Sequence, residues 1–288
     1  MKKTIMAVLA LAMVMGLSGC SDAYTNVSDA NTELFTINGT TITKGDIYPM
    51  LLSSSGLDTT LDMCLEHIMD IEVPMDDAAL AQAKEDFKEL KEGYGESFSF
   101  VLSYYGYENE DQFYEEAFLP QQQNIMLTAK YVETKFDTLS VTQKPRKVQI
   151  IQFTDKETAK TAYERVFTNK ESFEDVAAEL GTTAFDGSEM VVTTATTIDA
   201  VLLARLTETT VSKKIEEVVE GKDGKFYVAN VIEGDPEKFR EEACDAIAAS
   251  SAVTSDATRY FLQQYDFKIS DKDVYELYKA EYPDYIFD

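Results

Sequence analysis

Lys147-Val148-Gln149-Ile150-Ile151-Gln152-Phe153 is the run whose reading decides the fold. Its β-branched and apolar residues predict a strand. Asp155 follows as the cap of a helix whose apolar positions, Ala159, Ala162, Tyr163 and Val166, recur at helical spacing. Ser172 caps a shorter helix, Phe173-Glu174-Asp175-Val176-Ala177-Ala178-Glu179-Leu180, with Asp175 completing a capping-box-like pair and Gly181 as the stop. After a variable middle, Gly224 turns the chain into a closing strand, Phe226-Tyr227-Val228-Ala229-Asn230-Val231-Ile232. Residues 146–234 therefore read as one α+β unit.

Upstream, residues 33–37 and 40–42 flank Asn38-Gly39, the turn chemistry of a small hairpin, and Thr43 caps a helix over residues 44–52. Residues 61–136 are helical by pattern. Met63, Ile68, Met69 and Ile71 lie along one amphipathic segment, and Asp76 starts another through Ala79, Ala83, Phe87 and Leu90 to Gly93. A short helix ends at Gly106. Asn109 then caps a long one carrying Phe113, Ala117, Ile125, Leu127, Tyr131 and Phe136, with a kink expected at Pro120. Downstream of Gly234-Asp235-Pro236, Phe239, Ala243, Ala246, Ile247, Val253, Ala257, Tyr260 and Phe261 form an apolar stripe that needs a partner surface. Phe267-Lys268-Ile269 reads as a strand leading into a capped helical turn.

The 288 residues exceed one average domain, so two modules are expected, and 44% hydrophobic residues suffice for cores in both. Acidic residues outnumber basic ones 52 to 26. Such a body is repelled by nucleic acid and by anionic membrane surfaces, and no nucleic-acid partner is expected. Residues 1–20 read as a leader: Lys2 and Lys3, an apolar stretch over 5–17 too short for a comfortable span, then Leu17-Ser18-Gly19-Cys20. That ending resembles the lipobox of bacterial lipoproteins, which implies cleavage before Cys20, diacylglycerol on its thiol, and a place on the outer face of the cell membrane. Residues 21–32, polar throughout, read as a flexible tether.

The order and wording of residues 146–234 resemble a parvulin-type peptidyl-prolyl isomerase domain of the kind carried by PrsA-like foldase lipoproteins. The phrase Phe35-Thr36-Ile37-Asn38-Gly39-Thr40-Thr41-Ile42-Thr43-Lys44-Gly45-Asp46-Ile47-Tyr48 is similar to the opening of PrsA-like and SurA-like chaperone domains. The resemblance implies an α+β fold. A helical chaperone module is formed by an N-terminal segment, 33–145, and a C-terminal segment, 235–288, that packs back on it, with the parvulin-like domain inserted between them.

The same resemblance implies an active site with two histidines and an acidic or cysteine residue, and here the chain departs from the pattern. Its one histidine, His67, lies in the N-terminal module. Gln149 or Ile150 stands where the first strand of the family carries its histidine, and Tyr227 where the second would fall. The family's glycine-rich run is answered by Asp186-Gly187-Ser188-Glu189-Met190-Val191, with Glu189 in place of the acid. Met190, Leu203, Phe226 and Tyr227 either line an apolar peptide groove or are ordinary core residues. No catalytic residue is assigned, and isomerase activity is expected to be weak or lost.

Other chemistries are excluded by composition. With Cys20 taken by the expected lipid, one His and two Cys do not make a His/Cys zinc site, no serine elbow accompanies His67, and neither a calcium loop nor a phosphate-cradling glycine loop is present. No metal or cofactor is expected. Cys64 and Cys244 fit either a disulfide or two buried thiols. The function expected is that of a foldase or holdase binding unfolded, newly exported proteins. The alternatives are an isomerase with an altered site and a solute-binding or adhesion lipoprotein.

Overall fold

Asn38 and Gly39, with φ of 49° and 76°, supply the two left-handed residues that join β1 (Glu33–Ile37) to β2 (Thr40–Thr43) as an antiparallel hairpin. The computed structural model describes residues 27–215 and 217–287. The leader and Cys20 lie outside the described residues, as do residues 21–26 of the expected tether. The rest of that tether is ordered: the Thr32 N–H donates to the Asp29 carbonyl (2.8 Å), and the Lys44 ammonium donates to the Ser28 carbonyl (2.9 Å). The carbonyls of Thr32 and Ala30 also accept from the N–H groups of Lys44 and Gly45, so residues 28–32 are tied to the chain beyond the hairpin.

Two compact units are present, one from Met1–Leu80 with Thr258–Asp288, the other Ala81–Ala257. The expected boundaries at 145/146 and 234/235 both fall inside the second.

In the first unit the Thr43 hydroxyl accepts from the Asp46 N–H while the Asp46 carboxylate accepts from the Thr43 N–H, a reciprocal cap that starts α1 (Lys44–Leu51). A π-helical turn, Leu52–Gly56, leads into α2 (Leu57–Glu72). The buried stripe of α2 is Leu57, Leu61, Leu65, Ile68 and Met69. Met63 and Ile71, expected on that stripe, are 62% and 53% exposed, because the helix phase is set by the leucines. The stripe's partner comes from the far end of the chain. Asp271 caps α12 (Lys272–Glu281), and buried Tyr278 on α12 donates its hydroxyl to the Leu57 carbonyl (2.8 Å) beside Thr60 Oγ1 (2.9 Å). Tyr265 donates likewise to Glu72 (2.8 Å). Residues 267–269 form no strand, contrary to their pattern. Phe267 instead closes the preceding helix end, its N–H on the Leu262 carbonyl and its ring 6.0 Å from that of Tyr278.

The second unit begins in α3 (Asp77–Tyr94), capped by Asp76, and continues through α4 (Phe98–Tyr105), which Gly106 ends at φ 83°. Phe87 is the hub: its ring lies 5.0–6.1 Å from those of Phe98, Phe113, Tyr114 and Phe118. Asn109 caps α5 (Glu110–Phe113), a π-helical turn follows at Tyr114–Phe118, and α6 (Leu119–Gln143) completes the run. Pro120 sits in the first turn of α6. The widened turn before it accommodates the missing N–H that was expected to produce a kink.

The sheet follows. β3 (Arg146–Phe153) is its centre, paired antiparallel with β4 (Asp186–Val192) and with β7 (Phe226–Glu233), while the two-residue strands β5 (Lys213–Lys214) and β6 (Val219–Glu220) pair with β7. One face packs on α7 (Lys156–Phe167) and α8 (Phe173–Leu180) through Ile151, Phe153, Ala162, Val176 and Val228. The other packs on α9 (Ala200–Glu208) through Val148, Ile150, Leu202, Leu206 and Tyr227. Arg146 is buried at the start of β3, and its guanidinium donates to the carbonyls of Thr207, Thr209 and Pro145, tying down the C-terminal end of α9. The stripe after Pro236 breaks at 249–250 into α10 (Arg240–Ala248) and α11 (Ser251–Gln264). Val132, Phe136 and Leu139 of α6 share a core with Phe239, Ala243 and Ile247, so chain from before the sheet meets chain from after it.

Candidate functional site

The strand register decides which candidate residues meet. β3 pairs Gln149 with Asn230 and Gln152 with Tyr227, so Gln149 and Tyr227 project from opposite faces of the sheet. Gln149 lies on the face covered by α7 and α8. Its side-chain amide donates to the Gly187 carbonyl (3.0 Å) and to Glu174 (3.3 Å). Glu189, opposite Gln149 on β4, is exposed and forms an ion pair with Lys147 (3.4 Å), which also reaches Glu242 on α10 (2.9 Å). The bonds to Glu242 and Glu189 hold the Lys147 ammonium above its usual range against the opposing effect of burial. Phe226 belongs to this face too, half-buried against the α7–α8 core, with the Lys156 ammonium 5.7 Å from its ring centroid.

Tyr227 stands on the α9 face, 2% exposed. Its hydroxyl donates to Asp223 Oδ2 (2.5 Å) and accepts from Gln152 Nε2 (3.1 Å), while Gln152 Oε1 accepts from the Thr182 hydroxyl (2.8 Å). Asp199, the cap of α9, closes the same neighbourhood: its carboxylate accepts from the N–H groups of Val201, Leu202, Lys222 and Asp223. Burial works to raise the Asp199 carboxyl, and these four backbone donors outweigh it and hold it below its usual range. Met190 and Leu203 are half-buried on the Tyr227 face, at the rim of the core with Phe185, Ile198 and Val201. The Phe185 ring meets that of Tyr227 edge-on at 6.4 Å.

The six candidates therefore separate into two groups, Gln149, Glu189 and Phe226 on one face and Met190, Leu203 and Tyr227 on the other. The structure brings to Tyr227 three residues that the sequence reading missed: Gln152, Asp223 and Asp199. A usable signal existed for the last, since Asp199 precedes an apolar helical repeat, Leu202 and Leu206. Gln152 carried none, because only the β3–β7 register joins it to Tyr227, whereas Asp223 stands four residues before Tyr227 in the turn that enters β7.

Chemically, the α9 face offers a chain of neutral and acidic hydrogen-bonding groups beside half-buried apolar side chains. It contains no imidazole: His67 is exposed on α2, in the other unit. Cys64 and Cys244 are free and half-buried, and burial raises both thiols. Among the described residues no group of three or more His, Cys, Asp or Glu is placed to hold a metal ion, and no helix is long and apolar enough to cross a membrane.

Burial first, then the bond to Asp223, pushes the Tyr227 hydroxyl up to about 12; burial does the same for Tyr278, to about 12, against an ordinary 10 for each. Between about pH 10 and 12 the unfolded chain has released these protons and the folded chain keeps them, so unfolding releases protons and stability falls as pH rises. Both contributions are fully present below pH 10. Alkaline titration, with tyrosinate absorbance followed beside circular dichroism, should show the last phenols ionising together with loss of structure. Ionisation of every tyrosine near pH 10 in a folded chain would contradict these placements.

No family model matches the sequence, and no curated protein matches it. Solved structures do. The foldase PrsA of Streptococcus pneumoniae aligns over 86% of this chain and 98% of its own, at 17% identity and a TM-score of 0.48. PrsA of Bacillus subtilis aligns over 87% and 98%, at 16% identity and a TM-score of 0.41. A structure of the SurA-like chaperones PEB4 and Cj1289 of Campylobacter jejuni aligns over 80% and 92%, at 14% identity and a TM-score of 0.27. Over most of its length, and at low identity, the chain is similar to PrsA foldases and SurA-like chaperones.

Proposed function

We propose that this protein is a lipid-anchored extracytoplasmic foldase or holdase that binds unfolded exported proteins, its parvulin-like unit serving as a peptide-binding scaffold with little isomerase activity. The observation that carries the reading is the amount of large apolar side chain left in solvent: Phe35, Ile37, Met50 and Leu51 are 60–69% exposed in the first unit, and Phe100 and Tyr104 70% and 72% in the second. Single exposed apolar residues are ordinary, whereas contiguous ones mark sites that receive a partner. A two-stranded hairpin with every β1 residue exposed has little stability of its own, which suits a surface that an apolar client covers. The anchor rests on the lipobox-like ending at Cys20.

Loss of isomerase activity follows from what lines the sheet. Catalysis must lower a barrier of about 18–20 kcal/mol to rotation about the X–Pro bond. Where the resembled family carries its imidazoles this chain has Gln149 or Ile150 and Tyr227, none of them an imidazole; Ile150 shares the core of Tyr227, and Gln149 stands on the other face. One observation favours a second reading, an isomerase with an altered site: the Tyr227 hydroxyl is oriented between Gln152 and Asp223 beside an apolar rim.

Two assays on the purified chain decide. The expected result is delayed aggregation of a chemically unfolded substrate with little acceleration of a protease-coupled prolyl-peptide assay. Strong acceleration that Tyr227→Phe lowers would establish the altered-site reading. Strong acceleration that survives both Tyr227→Phe and Glu189→Ala would overturn this account of the site, and no effect on aggregation would overturn the chaperone role.

A further inference from the structure

The outer face of α4 carries three rings that the described residues leave largely in solvent: Phe100 at 70%, Tyr104 at 72% and Tyr105 at 48% exposure. They form a continuous ladder, with ring centroids 6.1 Å apart between Phe100 and Tyr104 and 5.1 Å between Tyr104 and Tyr105. Phe98 and Leu102, on the opposite side of the same helix, are buried, so α4 is anchored and the ladder is held outward on a fixed frame.

The stretch of chain that contains the ladder carries charge of one sign. Residues 92–116 contain seven carboxylates and no Lys, Arg or His. Among the described residues, Glu110 alone of the seven forms an ion pair, with Lys91 from outside the stretch. That contact is instructive, because the Lys91 ammonium also lies 5.7 Å from the Phe87 ring centroid. A cation held by a carboxylate and an aromatic face together is therefore a pattern the fold already uses at this end of the second unit.

We propose that the α4 ladder is the docking surface for extended client segments in which arginine alternates with apolar residues. This rests on the chaperone reading above and names the class of segment it takes. Guanidinium groups stack on exposed Tyr and Phe rings and pair with carboxylates, whereas an acidic segment meets only repulsion. Charge complementarity therefore selects the occupant. It disfavours an anionic lipid surface, and a second copy of this chain, with 52 acidic residues to 26 basic, would bring like charge.

The test uses the full chain, a labelled unstructured peptide alternating Arg with Leu and Phe, and its counterpart with Glu in place of Arg. Fluorescence anisotropy should show the Arg peptide bound, more weakly at raised salt, and the Glu peptide not bound. Phe100→Ser with Tyr104→Ser should weaken the Arg peptide roughly tenfold, the loss of two stacked rings. Both side chains are exposed, so circular dichroism should not change; should the double variant fail to fold, Glu96→Gln with Glu108→Gln should weaken the same binding and leave the rings in place. Equal binding of the Arg and Glu peptides, or unchanged binding by the variants, would overturn the proposal. So would light scattering that shows a dimer dissolved by Phe100→Ser with Tyr104→Ser, since a second copy would then be the occupant. Aggregation suppression measured in parallel separates the two claims: if it persists while Arg binding is absent, this proposal fails and the chaperone reading stands.

Discussion

Replacing Tyr278 by alanine is expected to destabilise the first unit by about 4 kcal/mol, the upper range for removing a buried aromatic side chain. Tyr278 is 2% exposed and couples chain ends 218 residues apart, where its hydroxyl lies 2.9 Å from Thr60 Oγ1. Its ring lies 5.5–6.0 Å from those of Phe267 and Tyr282. Losing the ring leaves a cavity beside Leu57, whose carbonyl accepts its hydroxyl. Tyr278→Phe keeps the ring and loses only the bonds to Leu57 and Thr60, which should cost about 1–2 kcal/mol. Urea unfolding followed by circular dichroism gives the totals, and amide hydrogen exchange along α2 gives the location. Full protection of α2 in Tyr278→Ala would show that α12 does not hold it.

Gly187→Ala should cost the second unit about 3 kcal/mol, from two causes that add. Gly187 has φ 78°, a left-handed conformation that costs a residue with a Cβ about 1–2 kcal/mol. A Cβ there would also lie 2.5 Å from the Phe173 carbonyl group and 2.9 Å from the Glu174 nitrogen, backbone atoms at the start of α8 that cannot swing aside. Overpacking of that kind costs about 1–3 kcal/mol more. The Gly187 carbonyl accepts the Gln149 amide, so the variant should disturb the Gln149 face and leave Tyr227, Gln152 and Asp223 in register. Gly187 is thus the residue that the close approach of β4 to the start of α8 requires. Thermal unfolding of Gly187→Ala beside Gly224→Ala separates the two causes, because Gly224 shares the positive φ at 75° but a Cβ there meets nothing within 4 Å. Equal losses in the two variants would show that close packing at Gly187 contributes nothing.

What could be read from the residues follows a physical line. The Asp155 and Ser172 caps were legible because a cap bonds to a donor three residues on, 2.8 Å from Asp155 to the Thr158 N–H and 3.0 Å from Ser172 to that of Asp175. Asn38-Gly39 and Gly106 were legible because positive φ leaves few residue choices. On α2, Ile68 and Met69 are buried as read, while Met63 and Ile71 fall off the stripe that the leucines set. The strand pattern at 267–269 failed, since a strand exists only where another offers its edge and here the preceding helix end claims Phe267.

The amino-acid sequence by itself determined the local elements, the α+β class and the acidic surface, because propensity, capping and net charge act within a few residues or need no geometry at all. Tertiary structure alone decided that Gln149 and Tyr227 face apart, that Tyr227 meets Gln152, that α2 closes on α12, and that the α4 rings stay in solvent. Strand register and helix partnership belong to pairs of segments far apart in the chain, and each residue's alternation of faces has no meaning until its neighbour's is set.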